Sequence, residues 1–306
     1  MRYKITVESF ISSNPAMPEM PEVETVRLTL LPYVVGNPIT KVQILNDKII
    51  RGEKNFQTKL IGQSFTTINR RAKLLSFPLS PSGLYLCAHL KMTGQLMYSH
   101  QDILEGGGHS LSSADYDLPN KHTRAIFTFQ NNGKLFFNDL RLFAYLKIID
   151  KETLQNTYNK YGIEPGLPHF TLENFQKAFT HSTRSLKSLL LDQSKIAGLG
   201  NIYADEICYE ASIKPMRKVS DLSSVNIKKL YQVCQTIITK AIKHCGTTFQ
   251  HFKILNHGQI QNGNFSDYLQ VFRRQGQTCK RCGPNYLIKK VKFAGRGTHF
   301  CDHCQR

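Results

Sequence analysis

The sequence predicts an α+β chain of more than one folding unit. It reads as an antiparallel β-sandwich or barrel headed by one helix, a helical second half, and a small four-cysteine module at the C-terminal end. Three observations carry this. Short β-rich runs fill the stretch from Ile39 to about residue 150, a helical pattern takes over from Leu154 to about Cys245, and four of the eight cysteines close the chain as two Cys-x-x-Cys pairs. A length of 306 residues fits two ordinary domains plus a module. With 41% hydrophobic residues the chain can bury real cores, which excludes global disorder. No run approaches the roughly 18 apolar residues that would span a bilayer, which excludes an integral membrane protein.

Residues 1–16, MRYKITVESFISSNPA, read as an appendage that ends in the polar, Pro-bearing Ser12-Ser13-Asn14-Pro15 and lacks the apolar core of a signal peptide. Pro21 to Val35 predicts a helix: Pro and acidic residues sit at its start, where the dipole favours them, and Val23, Val26, Leu30 and Leu31 follow at helical spacing. Strands are expected around 42–45, 64–68, 84–88, 125–129 and 134–137, with Asn131-Asn132-Gly133 supplying hairpin chemistry between the last two. Residues 102–120, with Gly106-Gly107-Gly108 and several Ser and Asp, read as a surface loop. No Lys-Ser/Thr follows those glycines, so a phosphate-binding P-loop is excluded. Tyr161 to Pro168 breaks either periodicity and links the halves. Phe170, Leu172, Phe175 and Phe179, and later Leu222, Val225, Leu230, Val233 and Ile237, give the helical texture of the second half. Residues 246–267, rich in Gly, Asn and Gln, are expected to form a mobile loop.

The chain ends in Cys279-Lys-Arg-Cys282 and Cys301-Asp-His-Cys304. Two such knuckles bring four thiolates into a tetrahedron, the pattern of a structural zinc ribbon, and His299 and His303 are not needed to complete it. A disulfide pair or a redox Cys-x-x-Cys is the alternative, but nothing supports secretion, and reduced cytosolic chemistry fits better. The net charge of +18 calls for a polyanionic partner, nucleic acid or an anionic membrane face. Residues 270–306 choose between them: nine Lys/Arg stand against Asp302 alone, so the ribbon stays basic even with four thiolates on one Zn²⁺. A module this basic is read as a phosphate-binding hand for nucleic acid.

The stretch Met17-Pro-Glu-Met-Pro-Glu-Val-Glu-Thr-Val-Arg27 closely resembles the opening of the formamidopyrimidine-DNA glycosylases, repair enzymes that excise oxidised purines and then cut the strand. Matching pieces follow in order: Arg71-Ala-Lys73, His89-Leu-Lys-Met-Thr-Gly94, Asp139-Leu-Arg-Leu-Phe143, Gly162-Ile-Glu-Pro165, Lys187 to Gln193, Gly198 to Glu206, Gly246-Thr-Thr248, and the ribbon with Arg296. The resemblance covers Met17 to Arg306. It implies an N-terminal catalytic β-sandwich domain (17–151), a helix-two-turn-helix domain with a lesion-recognition loop (152–268), and a zinc finger (269–306). Residues 1–16 are expected to be absent from the mature enzyme.

For the site, the resemblance implies Pro18 as the Schiff-base nucleophile, freed by removal of Met17, with Glu19 beside it as general acid. A secondary amine suits the task because its imine carries a fixed positive charge. Lys73 is implied as a proton donor and phosphate contact, Arg296 as a δ-elimination residue and phosphate contact, and Glu22 and Glu206 as supporting residues. Met92, Arg141 and Phe143 are implied as the wedge that fills the gap left by a flipped base, and His89, Lys187 and Asn201 as further DNA contacts. With sixteen residues and Met17 in front of it, Pro18 has an amide nitrogen with no lone pair to offer, so the chemistry requires a start at Met17 or processing. Four positions depart from the family pattern: Leu142 and Phe272 replace an Arg and a Tyr, and Cys245 and Arg273 stand where Gly is usual. The expected partner is duplex DNA with oxidised bases or abasic sites, bound by a cytoplasmic monomer carrying one structural zinc. Two rivals are an endonuclease VIII-like glycosylase for oxidised pyrimidines and, if the extension is retained, a catalytically dead DNA-binding protein.

Overall fold

The computed structural model describes residues 17–52, 54–109, 117–247, 252–256, 259–261 and 264–306. The expectations for the 1–16 extension lie outside them. Helix α1 (Met20–Val34) begins with a capping box in which the Glu19 side chain accepts from the first turn and Glu22 accepts from the Glu19 backbone. Its Val23, Val26, Leu30 and Val34 pack into the core of a two-sheet sandwich among Phe65, Phe77, Phe127, Phe129 and Phe137. Burying each such phenylalanine contributes about 1.5–3 kcal/mol. Met20, at the start of the same helix, belongs instead to the core of the helical half. The N-terminus of α1 is therefore where the two cores meet.

One sheet runs in the order β1 (Ile39–Ile44), β8 (Thr123–Phe129), β9 (Lys134–Asp139), β6 (Gly94–His100), β7 (Ile103–His109), β11 (Phe252–Asn256) and β12 (Gln259–Gln261). The other runs β10 (Tyr145–Ile149), β5 (Tyr85–His89), β4 (Leu74–Ser80) and β2 (Ser64–Phe65), with β3 (Asn69–Arg71) also on β4. At the β8–β9 hairpin Asn132 has φ +64° and the Asn131 side chain accepts from Gly133 N at 3.0 Å, as the Asn-Asn-Gly sequence requires.

Two expected loops contain strands. The triglycine segment lies in β7, where a Cβ on Gly106 would fall 2.2 Å from the Leu96 carbonyl oxygen, so glycine here permits close strand packing. In the stretch 246–267 the described parts include β11, which pairs antiparallel with β7 from Phe252↔His109 to Leu255↔Gly106, and β12 beside it. Both readings rested on composition, which does not register a strand whose partner is far away in sequence.

The second half holds α2 (Lys151–Tyr158), α3 (Leu172–Phe179), α4 (Leu186–Leu190), α5 (Asn201–Glu210) and α6 (Ser224–Lys243). Asp150, Thr171, Ser185 and Ser223 cap α2, α3, α4 and α6 through their side chains. Helix α2 sets Leu154 against Leu74, Cys87 and Ile149 of the sandwich, whereas α3 to α6 share a separate core built on Phe175, Leu189, Tyr203, Ile207 and Leu230. Between α4 and α5 the chain makes two turns pinned by Gln193, which donates to Leu191 O and Leu199 O and accepts from Gly198 N. The carbonyl of Gly198 (φ +91°) accepts from Met20 N at 3.0 Å, and a Cβ there would lie 2.8 Å from the Met20 side chain. That contact seats α1 on the two turns. The C-terminal module is a pair of hairpins, β13 (Thr278–Cys279) with β14 (Gly283–Leu287) and β15 (Lys289–Phe293) with β16 (Arg296–Phe300).

Candidate active site and nucleic-acid interface

The start of α1 carries a cluster of buried titratable groups. Pro18, Glu19, Glu22 and Lys73 are all buried at this point, Pro18 as the residue immediately before Glu19. One oxygen of Glu19 accepts from Ile202 N at 2.8 Å, while the other, Oε2, has no partner. A Cβ on Gly200 would fall 2.3 Å from that carboxyl, so the glycine at the N-cap of α5 makes room for it. Burial pushes the Glu19 carboxyl up to about 7, against the pull of Lys73 and with the help of Glu22. Burial likewise draws the Lys73 ammonium below the ordinary lysine range, with Glu19 and Glu22 opposing and Arg296 and Lys91 reinforcing. A carboxylic acid poised near neutrality next to a depressed lysine is an acid–base pair.

Lys73 is placed by a clamp between the two halves. Arg70 and Arg71 both grip the fully buried carboxylate of Glu164, which also accepts from Ala72 N at 2.8 Å. Arg71 further donates to Gly162 O, and Arg70 pairs with Glu24 at 2.6 Å. Ala72 sits at φ +53°, a left-handed turn held by these contacts, and Lys73 follows it.

Asn201 and Arg296 are brought together at one edge of this site. The Asn201 amide donates to Gly297 O at 3.1 Å, next to Arg296 on the exposed tip of the β15–β16 hairpin. Lys187, expected on the DNA, is instead fully buried: its ammonium pairs with Asp205 at 2.6 Å and donates to Thr298 Oγ1 and Gly297 O. Removing a lysine from water requires such a partner set, and its role is to hold the hairpin that carries Arg296. Glu206 is buried too and accepts from Gln270, Val271 and Phe272 N at 2.8–2.9 Å, which anchors the entry to the ribbon away from Glu19. Burial pushes its carboxyl up to about 7 against those three donors. His89 is half-buried, accepts from Lys91 N at 3.0 Å, and is pushed down to about 3 by burial and by Lys91, Lys73 and Arg51, so it is neutral.

Met92, Arg141 and Phe143 form one cluster on the surface. The Arg141 guanidinium lies 3.5 Å from Met92 Sδ and 4.8 Å from the centre of the Phe143 ring, and Phe143 is 45% exposed. A phenylalanine held in water beside a cation is not a core residue. Leu142, at φ +57°, turns inward onto the sandwich core. Asp139 builds this loop: its buried carboxylate accepts from Thr93 Oγ1, from Arg141 N at 3.2 Å and from Ala144 N at 2.8 Å.

The four C-terminal cysteines converge. Their sulfurs all lie within 4.8 Å of one another, with Cys282 and Cys301 at 3.8 Å and Cys279 and Cys304 at 4.0 Å. Tetrahedral zinc with bonds of about 2.3 Å sets sulfurs about 3.8 Å apart, so the set fits one zinc ion. The Tyr209 hydroxyl lies 3.4 Å from Cys279 Sγ. His299 turns away to Asp205 and His303 stacks on Tyr286, so neither competes as a ligand.

Residues without an assigned role in the sequence reading prove to organise the site: Arg70, Asp139, Glu164, Tyr203, Asp205 and Thr247. Several lie inside the quoted motifs, but their partners are tens to hundreds of residues away, and spacing alone does not reveal such pairs. Cys245 and Arg273, the two positions where glycine is usual, both have positive φ, +57° and +58°. Among the described residues no helix is long and apolar enough to cross a membrane.

Residues 17–146 match the family model of the formamidopyrimidine-DNA glycosylase N-terminal domain, 161–253 that of its H2TH domain, and 276–306 that of the zinc finger found in FPG and IleRS. The chain is 37% identical over 294 residues to a formamidopyrimidine-DNA glycosylase of Lactobacillus delbrueckii subsp. bulgaricus, covering 95% of this chain and 100% of the relative. A formamidopyrimidine-DNA glycosylase of Listeria innocua is 36% identical over 296 residues with the same coverage. Among solved structures, Lactococcus lactis Fpg in complex with DNA containing an abasic site superposes with a TM-score of 0.81 at 32% identity, over 94% of this chain and 99% of that one. An inhibited form of the same enzyme with DNA containing N7-benzyl-Fapy-dG gives 0.82 at 32% identity, over 94% and 100%.

Proposed function

The chain belongs to the formamidopyrimidine-DNA glycosylase family, and from that premise we propose how its own residues divide the work. The activity is that of a base-excision-repair DNA glycosylase for oxidised purines, coupled to cleavage at the resulting abasic site. In this reading the Pro18 amine, once free, attacks the sugar C1′. The bond to the damaged base breaks, and Glu19 delivers its proton to the ring oxygen as the sugar opens. The product is an iminium between Pro18 and the deoxyribose, which acts as the electron sink for loss of the strand phosphates. Lys73, Asn201 and the Arg296 hairpin hold the backbone phosphates around the extruded nucleotide. Met92, Arg141 and Phe143 fill the space it leaves in the duplex.

The observation that carries this reading is the unpartnered Glu19 Oε2, buried beside Lys73 with its carboxyl near 7 and Pro18 directly before it. Cys279, Cys282, Cys301 and Cys304 would hold zinc, whose contribution is folding free energy for the ribbon, since four thiolates leave it no open position. Lys187 and Glu206 act at a distance, by fixing the ribbon to the helical domain. We place the action in the cytoplasm with the chromosome, and the bacterial origin of the matched relatives supports this.

Borohydride trapping on abasic-site DNA tests the reading. Protein translated from Met17, with Pro18 exposed, should give a covalent adduct, and protein retaining residues 1–16 should give none, because an acylated proline cannot form an imine. Equal trapping by both forms would move the nucleophile to another amine, Lys73 being the candidate buried at the same site. No trapping by either would leave a DNA-binding protein without this chemistry.

A further inference from the structure

Glu22 is held by a set of donors that the chemistry above leaves without a purpose. Its carboxylate is 2% exposed and accepts four hydrogen bonds. Oε2 takes Glu19 N at 2.9 Å. Oε1 takes the Tyr203 hydroxyl at 2.7 Å, Thr247 N at 2.7 Å and Thr247 Oγ1 at 2.9 Å. A Cβ on Gly246 would lie 2.7 Å from the same oxygen, so the Gly246-Thr247 backbone is wrapped directly against it. Thr247 is itself 2% exposed, and it is tied at its other side: it bridges Asn264, while Phe265 N donates to Gly246 O and Asn264 N to His244 O. The threonine is thus the closed stem of the excursion that leaves after α6 and returns at Asn264.

We infer that Thr247 is a positioning residue for the general acid: through Glu22 it fixes the backbone at Glu19 and so the direction of the Glu19 carboxyl. The inference rests on the reading of Glu19 as the acid. One Glu19 oxygen is spoken for by Ile202 N, and the free Oε2 points correctly only if the peptide at Glu19 is held from its other end. The Glu22 hydrogen bond to Glu19 N does that holding, and Thr247 supplies two of the three donors that orient the opposite oxygen of Glu22. Tyr203 supplies the third. Its phenol is kept protonated by burial and by Glu22 itself, so it remains a donor throughout the working pH range. Removing the threonine hydroxyl leaves a buried carboxylate short of one donor and free to rotate, and rotation loosens the Glu19 peptide.

The consequence is selective. Excision needs a proton at the sugar oxygen in order to open the ring, whereas a preformed abasic sugar can present its aldehyde to the amine without that proton. A misdirected Glu19 therefore slows the first reaction and spares the second. The test compares Thr247→Val with Thr247→Ser in the full enzyme with a free Pro18, measuring single-turnover excision from duplex DNA carrying an oxidised purine, borohydride trapping on abasic DNA, and melting temperature. Thr247→Val should slow excision about tenfold, the equivalent of one hydrogen bond to a charged group. Trapping should stay within about twofold, and Thr247→Ser, which restores the hydroxyl, should recover most of the excision rate. Equal losses in excision and trapping would overturn the inference, as would a serine variant no better than the valine one. If wild-type enzyme with free Pro18 fails to trap at all, the reading of the nucleophile fails first and the inference falls with it.

Discussion

At the scale of single residues, Glu19 sets the pH behaviour. Its carboxyl is raised by burial to about 7, so the protonated form is present at neutral pH and is lost as the pH rises through that value. Single-turnover excision should therefore fall by about tenfold per unit well above pH 7, and Glu19→Gln should abolish that limb along with most of the activity. A pH–rate profile checks both. Phe143 and Arg296 separate flipping from binding. Phe143→Ala should cut excision from duplex DNA far more than cleavage of a preformed abasic site, with nonspecific affinity and its salt slope nearly unchanged, because a wedge acts only when a base leaves the stack. Arg296→Ala should weaken damaged and undamaged DNA alike and reduce the salt slope by about one counterion in binding titrations across salt concentrations. If Phe143→Ala lowers both reactions equally, the exposed ring is not a wedge.

Among the elements, the strand β3 and the turn after it carry a charge clamp that joins the two halves. Glu164 is fully buried between Arg70 and Arg71 and also caps Ala72 N. Glu164→Gln would leave the largely buried Arg71 guanidinium without its counter-charge and Arg70 with Glu24 alone, a loss on the order of 3 kcal/mol. Urea denaturation measures it, and excision should fall in parallel because Lys73 follows directly on Ala72. Cys245 ends α6 at φ +57°, where a side chain strains the backbone, so Cys245→Gly should stabilise the protein by up to about 1 kcal/mol. A lower melting temperature for that variant would show that the thiol packs usefully against its surroundings.

The whole molecule is two cores and a metal module, joined at the start of α1. Met20 enters one core and Val23 the other, so the residues between Pro18 and Glu22 sit at the seam by construction. The ribbon has only a small core of its own, in which Val271 and Ile288 are joined by Tyr209 of α5, Cys279 and Cys301. Zinc removal, or Cys282→Ala, should unfold it and abolish DNA binding while the two larger cores keep most of their helix and strand signal. Circular dichroism with a parallel binding assay distinguishes this from global unfolding. Unchanged affinity in a reduced, metal-free sample would take the ribbon out of the interface.

Much was legible in the sequence because local rules wrote it. Pro and acidic residues start α1, Asn-Asn-Gly turns β8 into β9, and paired Cys-x-x-Cys knuckles set the metal centre. Each of these devices acts within a few residues, where spacing is chemistry. Motif order then singled out Pro18, Glu19, Lys73, Asn201, Arg296 and the Met92/Arg141/Phe143 set as candidates. The tertiary structure alone decided which charges are buried together. The family resemblance implies Lys187 as a DNA contact, but Asp205 and Thr298 close around it, and Glu164 has no visible role until Arg70 and Arg71 meet it from more than ninety residues away. Composition also misjudged the triglycine segment, which is a strand because β6 and β11 flank it. Pairing and desolvation are properties of where chain segments meet, and a single sequence states them only through the fold it makes.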